Sequence, residues 1–216
     1  MGGHRNKDRG LQPAIEPARV NFSVETSARK PDTSSRTVPT LAYLSLGSNA
    51  GDREAHLRDA LARLGAAGRV VAMSSFYETE PVEFTHQPWF LNCAVAIETA
   101  QAPRQLMNTI LHIEEEMGRR RLQKKGPRSI DIDILLFDNV TIDLKELTVP
   151  HPAMRQRRFV LEPLAEIAPE VLHPVLKKTI RELRDLLPEG QTVRRVPRSS
   201  TAGDQRSTAN DGSKAQ

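Results

Sequence analysis

The chain has 216 residues, a formal net charge of +4, one cysteine and a sequence pI of about 9.5. A single cysteine excludes an intrachain disulfide and a thiolate metal cluster, and an alternating apolar run around Cys93 predicts a buried thiol. No apolar stretch has the length of a membrane span or a signal-peptide core, so we expect a cytoplasmic protein with no membrane partner.

The positive charge lies in two polar tails. Residues 1–40 hold seven basic and four acidic residues, and residues 197–216 hold three basic and two acidic ones. Residues 41–196 hold 21 of each sign, and this neutral balance argues against a nucleic-acid-binding domain. Both tails lack apolar periodicity and are predicted to be disordered, which leaves one folded domain over 41–196.

The first half of that domain predicts a strand, a helix and two more strands. A strand over 41–46 ends at a turn, Gly47-Ser48-Asn49, and Asp52 is placed to cap the helix that follows. Strands over 70–77 and 90–99 come next, joined by a long loop over 78–89.

The second half predicts a helix that begins at Pro103, then a strand that carries Asp131 and Asp133. Extra C-terminal helices are expected around 157–165 and 179–187. The order β-α-β-β-α-β is that of a ferredoxin-like split βαβ sheet, so the predicted class is α+β with helices packed on the core sheet.

Asp131 and Asp133 occupy a strand where apolar residues are expected. Side chains at i and i+2 share a face, about 6–7 Å apart, so the two carboxylates repel each other unless a cation or solvent intervenes. Mg²⁺ prefers one or two carboxylates, with water and phosphate as further ligands. A wet edge strand is the other interpretation, and the apolar run that ends at Phe137 argues against it.

A basic run precedes these acids, with six basic residues between Arg119 and Arg128. Arginine forks suit phosphate oxygens, so the run is a candidate polyphosphate clamp, whereas a solvated loop is the common alternative. The sequence lacks a Gly-x-x-x-x-Gly-Lys-Ser/Thr motif, which excludes a P-loop enzyme.

The run Lys124-x-Gly126-Pro127-Arg128-x-x-Asp131-x-Asp133-Ile134-Leu135 resembles the signature of the 6-hydroxymethyl-7,8-dihydropterin pyrophosphokinases of folate biosynthesis. Further segments resemble that family in the expected order over 41–187: residues 43–49, 74–79, 87–92, 147–151 and 157–164. Several separate segments agree, so chance is a poor explanation.

The resemblance implies transfer of an intact pyrophosphate group from ATP, the co-substrate, to the hydroxymethyl oxygen of the dihydropterin, with release of AMP. By similarity, Asp131 and Asp133 hold two Mg²⁺ ions that bridge the triphosphate. Residues at positions similar to catalytic ones are Arg119, Arg128, Asp131 and Asp133. Residues at positions similar to nucleotide contacts are Glu114, Arg121, Ile134, Thr148, His151 and Arg157. The implied partners are these two small molecules, with no nucleic acid, and we expect a monomer.

The resemblance also assigns a pterin site. The side chain of Asn92 offers both donor and acceptor to the amide-like edge of the ring. Phe90 and Phe159 are placed to stack on its two faces. Thr79 and Val82 are expected to contribute backbone contacts from the 78–89 loop.

Three residues differ from what some family members carry. Lys125 stands where a tryptophan closes over the site, Leu122 where a basic residue is common, and Pro152 where an aromatic follows the histidine. We expect closure of the 78–89 and 119–127 loops during catalysis, and these differences to affect that closure and ATP affinity rather than the reaction type.

Two other functions remain open from the residues alone. Another Mg²⁺-dependent nucleotidyl- or phosphotransferase on a similar sheet would explain the acids and arginines but not the segment around Asn92. A ferredoxin-like nucleic-acid-binding module would expect exposed aromatics on a basic domain, whereas the chain has six Phe and two Tyr.

Overall fold

The computed structural model describes residues 38–82, 87–118 and 126–197. Almost all of both predicted disordered tails lies outside the described residues, as do residues 119–125 of the basic run and residues 83–86 of the long loop. No helix in the described ranges has both the length and the apolar character needed to cross a membrane.

The first half of the domain contains β1 (Thr40–Ser48), α1 (Arg53–Arg63), β2 (Arg69–Met73), β3 (Tyr77–Thr79) and β4 (Phe90–Thr99). The second half contains α2 (Pro103–Glu116), β5 (Asp131–Phe137), β6 (Ile142–Asp143), β7 (Thr148–Val149), α3 (Arg158–Ile167), α4 (Ile180–Asp185) and β8 (Val193–Arg195). Short 3-10 helices cover Leu64–Ala66 and Met154–Gln156.

Within the described residues, β1 lies inside a six-stranded antiparallel sheet. The strand order is β5-β1-β4-β3-β8, and β2 pairs with a different stretch of β4 on the same side as β3. β6 and β7 form a separate two-stranded ribbon. The result is a mixed α/β domain whose longest strands, β1 and β4, lie side by side.

One face of the sheet packs against α1 and α2, and the other against α3 and α4. Leu44 and Leu46 of β1 are fully buried in one cluster with Leu57 of α1 and Leu106 of α2. Tyr43 points to the opposite face, where a second cluster includes residues of α3 and α4. Alternation along β1 therefore separates two apolar layers.

Two predicted helix starts are confirmed. The carboxylate of Asp52 accepts a hydrogen bond from the backbone N–H of Ala55 at 3.0 Å and caps α1. Pro103 occupies the first position of α2, where its missing N–H costs nothing.

The predicted strand over 70–77 is wrong in one respect, because it is broken into β2 and β3. The Ser74 hydroxyl accepts from the backbone N–H of Ala94 at 2.9 Å and donates to the carbonyl of Ser75 at 2.7 Å. The backbone N–H of Ser74 still donates to the carbonyl of Ala94 at 2.9 Å, but the Ser74 hydroxyl takes the place of a backbone acceptor for the N–H of Ala94. β3 continues into what was predicted as loop. The sequence pattern also gave no sign of β8, which pairs with β3 from the far end of the domain.

The core predicts a large stability cost for Leu46→Ala. Its side chain is fully buried in the first cluster, so truncation should lower the free energy of unfolding by about 3 kcal/mol. Urea unfolding followed by circular dichroism measures this loss. Leu186→Ala is the matched control, because Leu186 is 65% exposed and should change the same quantity by about 0.5 kcal/mol or less. Equal losses in both variants would contradict the described core.

Candidate active site

A cavity of about 520 Å³ opens on the face of the sheet that carries α3, beyond the part that the helix covers. The described residues that line it include most of those predicted from the sequence: Thr79, Val82, Phe90, Asn92, Arg128, Asp131, Asp133, His151, Arg157 and Phe159. Residues from distant parts of the chain therefore meet in one place.

Strand register sets the floor of the cavity. Gly47 of β1 stands opposite Asn92 of β4 on one side and opposite Asp131 of β5 on the other. Ser45 stands opposite Asp133 in the next row on the same face. Asn92 and Asp131 are therefore two strands apart, with only a glycine between them.

Gly47 is required by the position of Asn92. A Cβ atom at Gly47 would lie 2.5 Å from Oδ1 of Asn92, well inside contact distance. Asn92 is buried, and its Nδ2 donates to the hydroxyl of Thr79 on β3 at 2.7 Å. Thr79 thus fixes the orientation of the Asn92 amide, and Gly47 leaves the space that the amide occupies.

Arg128 connects the acidic and aromatic walls of the cavity. Its Nη2 lies 2.8 Å from a carboxylate oxygen of Asp131, and its guanidinium carbon lies 5.3 Å from the centre of the Phe90 ring. The first contact is an ion pair and the second a cation–π interaction. Arg128 Nε is buried without a hydrogen-bond partner among the described residues.

Asn49 holds the segment that carries Arg128. Its side-chain oxygen accepts a hydrogen bond from the backbone N–H of Arg128 at 2.8 Å, and the backbone N–H of Asn49 donates to the carbonyl of Arg128 at 3.1 Å. Its Nδ2 donates to Gln87 at 3.1 Å, so it also fixes the end of the long loop. The sequence showed Asn49 only as part of a turn; partners 38 and 79 residues away gave no local signal.

His151 and Arg157 form the wall next to Asp133. The backbone N–H of His151 donates to the carbonyl of Leu135 at 2.9 Å, which docks this segment on β5. Nε2 of His151 lies 4.0 Å from Asp133, and burial lowers the pKa of this histidine although the charge of Asp133 opposes that effect. Arg157 lies over the ring of Phe159 at 5.6 Å. The wall thus offers two nitrogen-bearing side chains to an anion.

The acids suit a hard cation that arrives with other oxygen ligands. The described residues contain no group of three or more His, Cys, Asp or Glu side chains able to hold a metal ion unaided. Asp131 and Asp133 supply two carboxylates on one cavity wall, and in the structure the Arg128 guanidinium already provides positive charge to Asp131. This donor set fits Mg²⁺ with phosphate and water completing its coordination.

Other predicted site residues lie elsewhere. Glu114 is buried, and its carboxylate accepts from the backbone N–H of Ile132 at 2.8 Å, which secures β5 to α2. Ile134 is buried in the cluster beneath the opposite face, and Thr148 lies on β7; neither lines the cavity. Arg119 and Arg121 fall outside the described residues.

Comparison with known proteins identifies related sequences. The family model described as 7,8-dihydro-6-hydroxymethylpterin-pyrophosphokinase (HPPK) matches residues 43–169. A 2-amino-4-hydroxy-6-hydroxymethyldihydropteridine pyrophosphokinase of Bacillus subtilis is 50% identical over 133 residues, which are 61% of this chain and 80% of that protein. The protein of the same name from Methylorubrum extorquens is 47% identical over 154 residues, covering 70% of this chain and 96% of its own.

Longer proteins also contain a matching part. The folic acid synthesis protein fol1 of Schizosaccharomyces pombe is 41% identical over 150 residues, covering 68% of this chain but only 20% of that protein. A solved Plasmodium falciparum HPPK-DHPS chain superposes with a TM-score of 0.57 at 19% identity, covering 70% of this chain and 44% of that one. At this identity, the similarity to the Plasmodium falciparum structure supports the fold alone.

The contact between Gly47 and Asn92 predicts strong coupling between two substitutions. Gly47→Ala should lower the free energy of unfolding by about 1–3 kcal/mol, because the new methyl group displaces the buried amide. In an Asn92→Ala background the same change should cost about 0.5 kcal/mol or less, and urea unfolding of the four proteins measures this cycle. Gly65→Ala is the control, since nothing lies within 4 Å of its added Cβ. Additive costs at Gly47 and Asn92 would refute the steric explanation.

Proposed function

The chain belongs to the 7,8-dihydro-6-hydroxymethylpterin-pyrophosphokinase family, and we propose that its cavity transfers pyrophosphate from ATP to the hydroxymethyl oxygen of 6-hydroxymethyl-7,8-dihydropterin. The products are AMP and the dihydropterin diphosphate, and the chain is an ATP-dependent diphosphotransferase of folate synthesis. The observation that carries this proposal is the row Asn92–Gly47–Asp131, which joins a ring-binding amide to a metal-binding acid.

Asn92, Phe90 and Phe159 suit the pterin. Asn92 uses one N–H on Thr79 and has a second N–H and a carbonyl oxygen for the amide-like edge of the ring. Phe90 and Phe159 both line the cavity and offer faces for stacking. Thr79 and Val82 line the same end, in agreement with the contacts proposed for the 78–89 loop.

Arg128, His151 and Arg157 suit the triphosphate. All three line the cavity on the side of the acids and can donate to phosphate oxygens. Because Arg128 contacts both Asp131 and Phe90, its guanidinium lies where the transferring group would pass between nucleotide and pterin. We propose it as a catalytic residue that neutralises charge developing on the phosphate oxygens.

Asp131 and Asp133 are proposed as the ligands of two Mg²⁺ ions. When bound, Mg²⁺ neutralises and orients the triphosphate. The carboxylates contribute by standing on one strand face in adjacent positions, which lets both reach the same phosphate chain. Five further roles stay predictions from the resemblance. Arg119 is predicted as a second catalytic arginine. The predicted nucleotide contacts are Arg121, Glu114, Ile134 and Thr148.

We also propose that the sheet is a ferredoxin-like core. The strand order β5-β1-β4, with β2 and β3 together on the far side of β4, supports a ferredoxin-like core whose second strand is interrupted. On this view α3 and α4 are the additional C-terminal helices. We further propose a pyrophosphokinase domain over 41–196 between disordered extensions at 1–40 and 197–216, acting as a cytoplasmic monomer.

The function predicts pterin-dependent release of AMP. Purified protein incubated with ATP, Mg²⁺ and 6-hydroxymethyl-7,8-dihydropterin should form AMP and dihydropterin diphosphate in equal amounts, measured by ion-exchange chromatography. Omission of the pterin or chelation of Mg²⁺ should abolish the AMP. Formation of ADP, or no turnover by folded protein, would reject the proposed reaction.

Asp131→Asn and Asp133→Asn should each lower the rate of AMP formation by about a hundredfold or more, because an amide keeps the shape but loses the charge that holds Mg²⁺. Asp143→Asn is the matched control, since Asp143 is exposed on β6 and does not line the cavity. Near-normal rates in both variants would show that these carboxylates do not hold the metal.

A further inference from the structure

A cluster centred on Glu166 lies outside the cavity and joins three elements. Glu166, in the last turn of α3, accepts from the Tyr77 hydroxyl at 2.7 Å and from the backbone N–H and hydroxyl of Ser75 at 3.1 and 2.9 Å. Arg195 of β8 donates to Glu166 at 3.0 Å and to the Ser75 hydroxyl at 2.9 Å. One carboxylate thus ties a helix to two strands.

The groups in this cluster are adjacent to pterin-site residues along each element. Tyr77 stands opposite Asn92 in the β3–β4 register, and Thr79, two residues further on the same face, accepts the hydrogen bond from Asn92. Phe159 lies seven residues before Glu166 on α3, two helical turns away on the same side of the helix. The cluster therefore connects the element that carries Phe159 to the strand that orients Asn92.

The C-terminal segment strengthens the same connection. The backbone N–H of Phe159 donates to the side-chain oxygen of Gln191 at 3.2 Å. Two residues later β8 begins, and Thr192 exchanges hydrogen bonds with Glu80, a lining residue of the cavity, at 2.6 and 3.3 Å. Phe159 and the start of the 78–89 loop are thus held by one short segment that Arg195 fastens to Glu166.

The strength of the cluster comes from its charge. Burial alone would raise the pKa of Glu166, but hydrogen bonds from Tyr77 and Ser75 and the charge of Arg195 lower it below its usual value. Hydrogen bonds to an ionised acceptor are stronger than neutral ones. Tyr77 and Ser75 are themselves buried, so water does not readily replace the carboxylate.

We propose that Glu166 is a positioning residue that sets Phe159 on α3 relative to Phe90 and Asn92 on β4, and so the width of the slot that takes the pterin ring. The inference rests on the proposed function of the cavity. It assigns Glu166, Tyr77 and Arg195 to recognition of the flat heterocycle and not of the nucleotide, because Asp131, Asp133 and His151 lie on the opposite side of Asn92.

The test separates affinity for the two substrates. Glu166→Gln keeps the size of the side chain but loses its charge, and it should raise the KM for the dihydropterin about tenfold while the KM for ATP stays within about twofold. Tyr77→Phe retains the packed ring and removes one donor, so a smaller shift in the same direction, about threefold, is expected. This milder variant keeps the test decisive if Glu166→Gln lowers the yield of folded protein.

Glu162→Gln is the matched control. Glu162 is on the same helix, one turn from Glu166, and its carboxylate forms ion pairs with Arg158 and Arg184. It forms none of the hydrogen bonds that tie Glu166 to Ser75 and Tyr77. It should leave both KM values unchanged. A Glu166→Gln protein with unchanged KM values and a lower kcat, or with equal rises in both, has lost folded enzyme or general order, and either result would overturn the positioning role.

Wild-type protein distinguishes this inference from the function on which it rests. If the wild type forms no AMP in the presence of the pterin, the proposed function fails. If the wild type is active and only the selective effect on the pterin KM is missing, the function stands and the role of Glu166 is refuted.

Discussion

Antiparallel pairing of β4, β1 and β5 aligns Asn92, Gly47 and Asp131 in a single row, and the remaining parts of the site are arranged around it. A shift of one residue would turn Asn92 into the apolar core and Cys93 towards the cavity. Leu44 and Leu46 oppose such a shift, because they are fully buried in the cluster with α1 and α2 on the reverse face. Packing on one side of the sheet thereby maintains the chemistry on the other.

A nitrogen-bearing side chain lies beside each of the two aspartates of the cavity. Asp131 has the Arg128 guanidinium against it, and Asp133 lies near His151. A metal–triphosphate complex brings cations for the acids and anions for the arginine, so it can replace these contacts with stronger ones on both sides. A bare cation or a bare anion would satisfy only one of the two.

Local patterns predicted most of the framework, and long-range contacts account for what they missed. Alternation along β5 indicated that Asp131 and Asp133 share a face, and the position of Asp52 indicated where α1 begins; both involve neighbouring residues. The break at Ser74 depends on β4, β8 pairs with a strand more than a hundred residues earlier, and Asn49 reaches Arg128 across 79 residues. A periodicity of two or 3.6 residues carries no information about such partners. The grouping of Asn92 with the acids came from family resemblance, and register supplies its physical basis.

Cys93, the single cysteine, is 1% exposed in the middle of β4, and burial raises the pKa of its thiol to about 12. A thiolate-specific reagent can therefore reach it only when the central strands separate. The rate at which Cys93 is modified therefore measures how often the sheet opens. Because β4 also carries Asn92, ligands that bind this strand and its neighbours should lower the rate of Cys93 modification. The size of that decrease would measure how strongly each ligand stabilises the closed sheet.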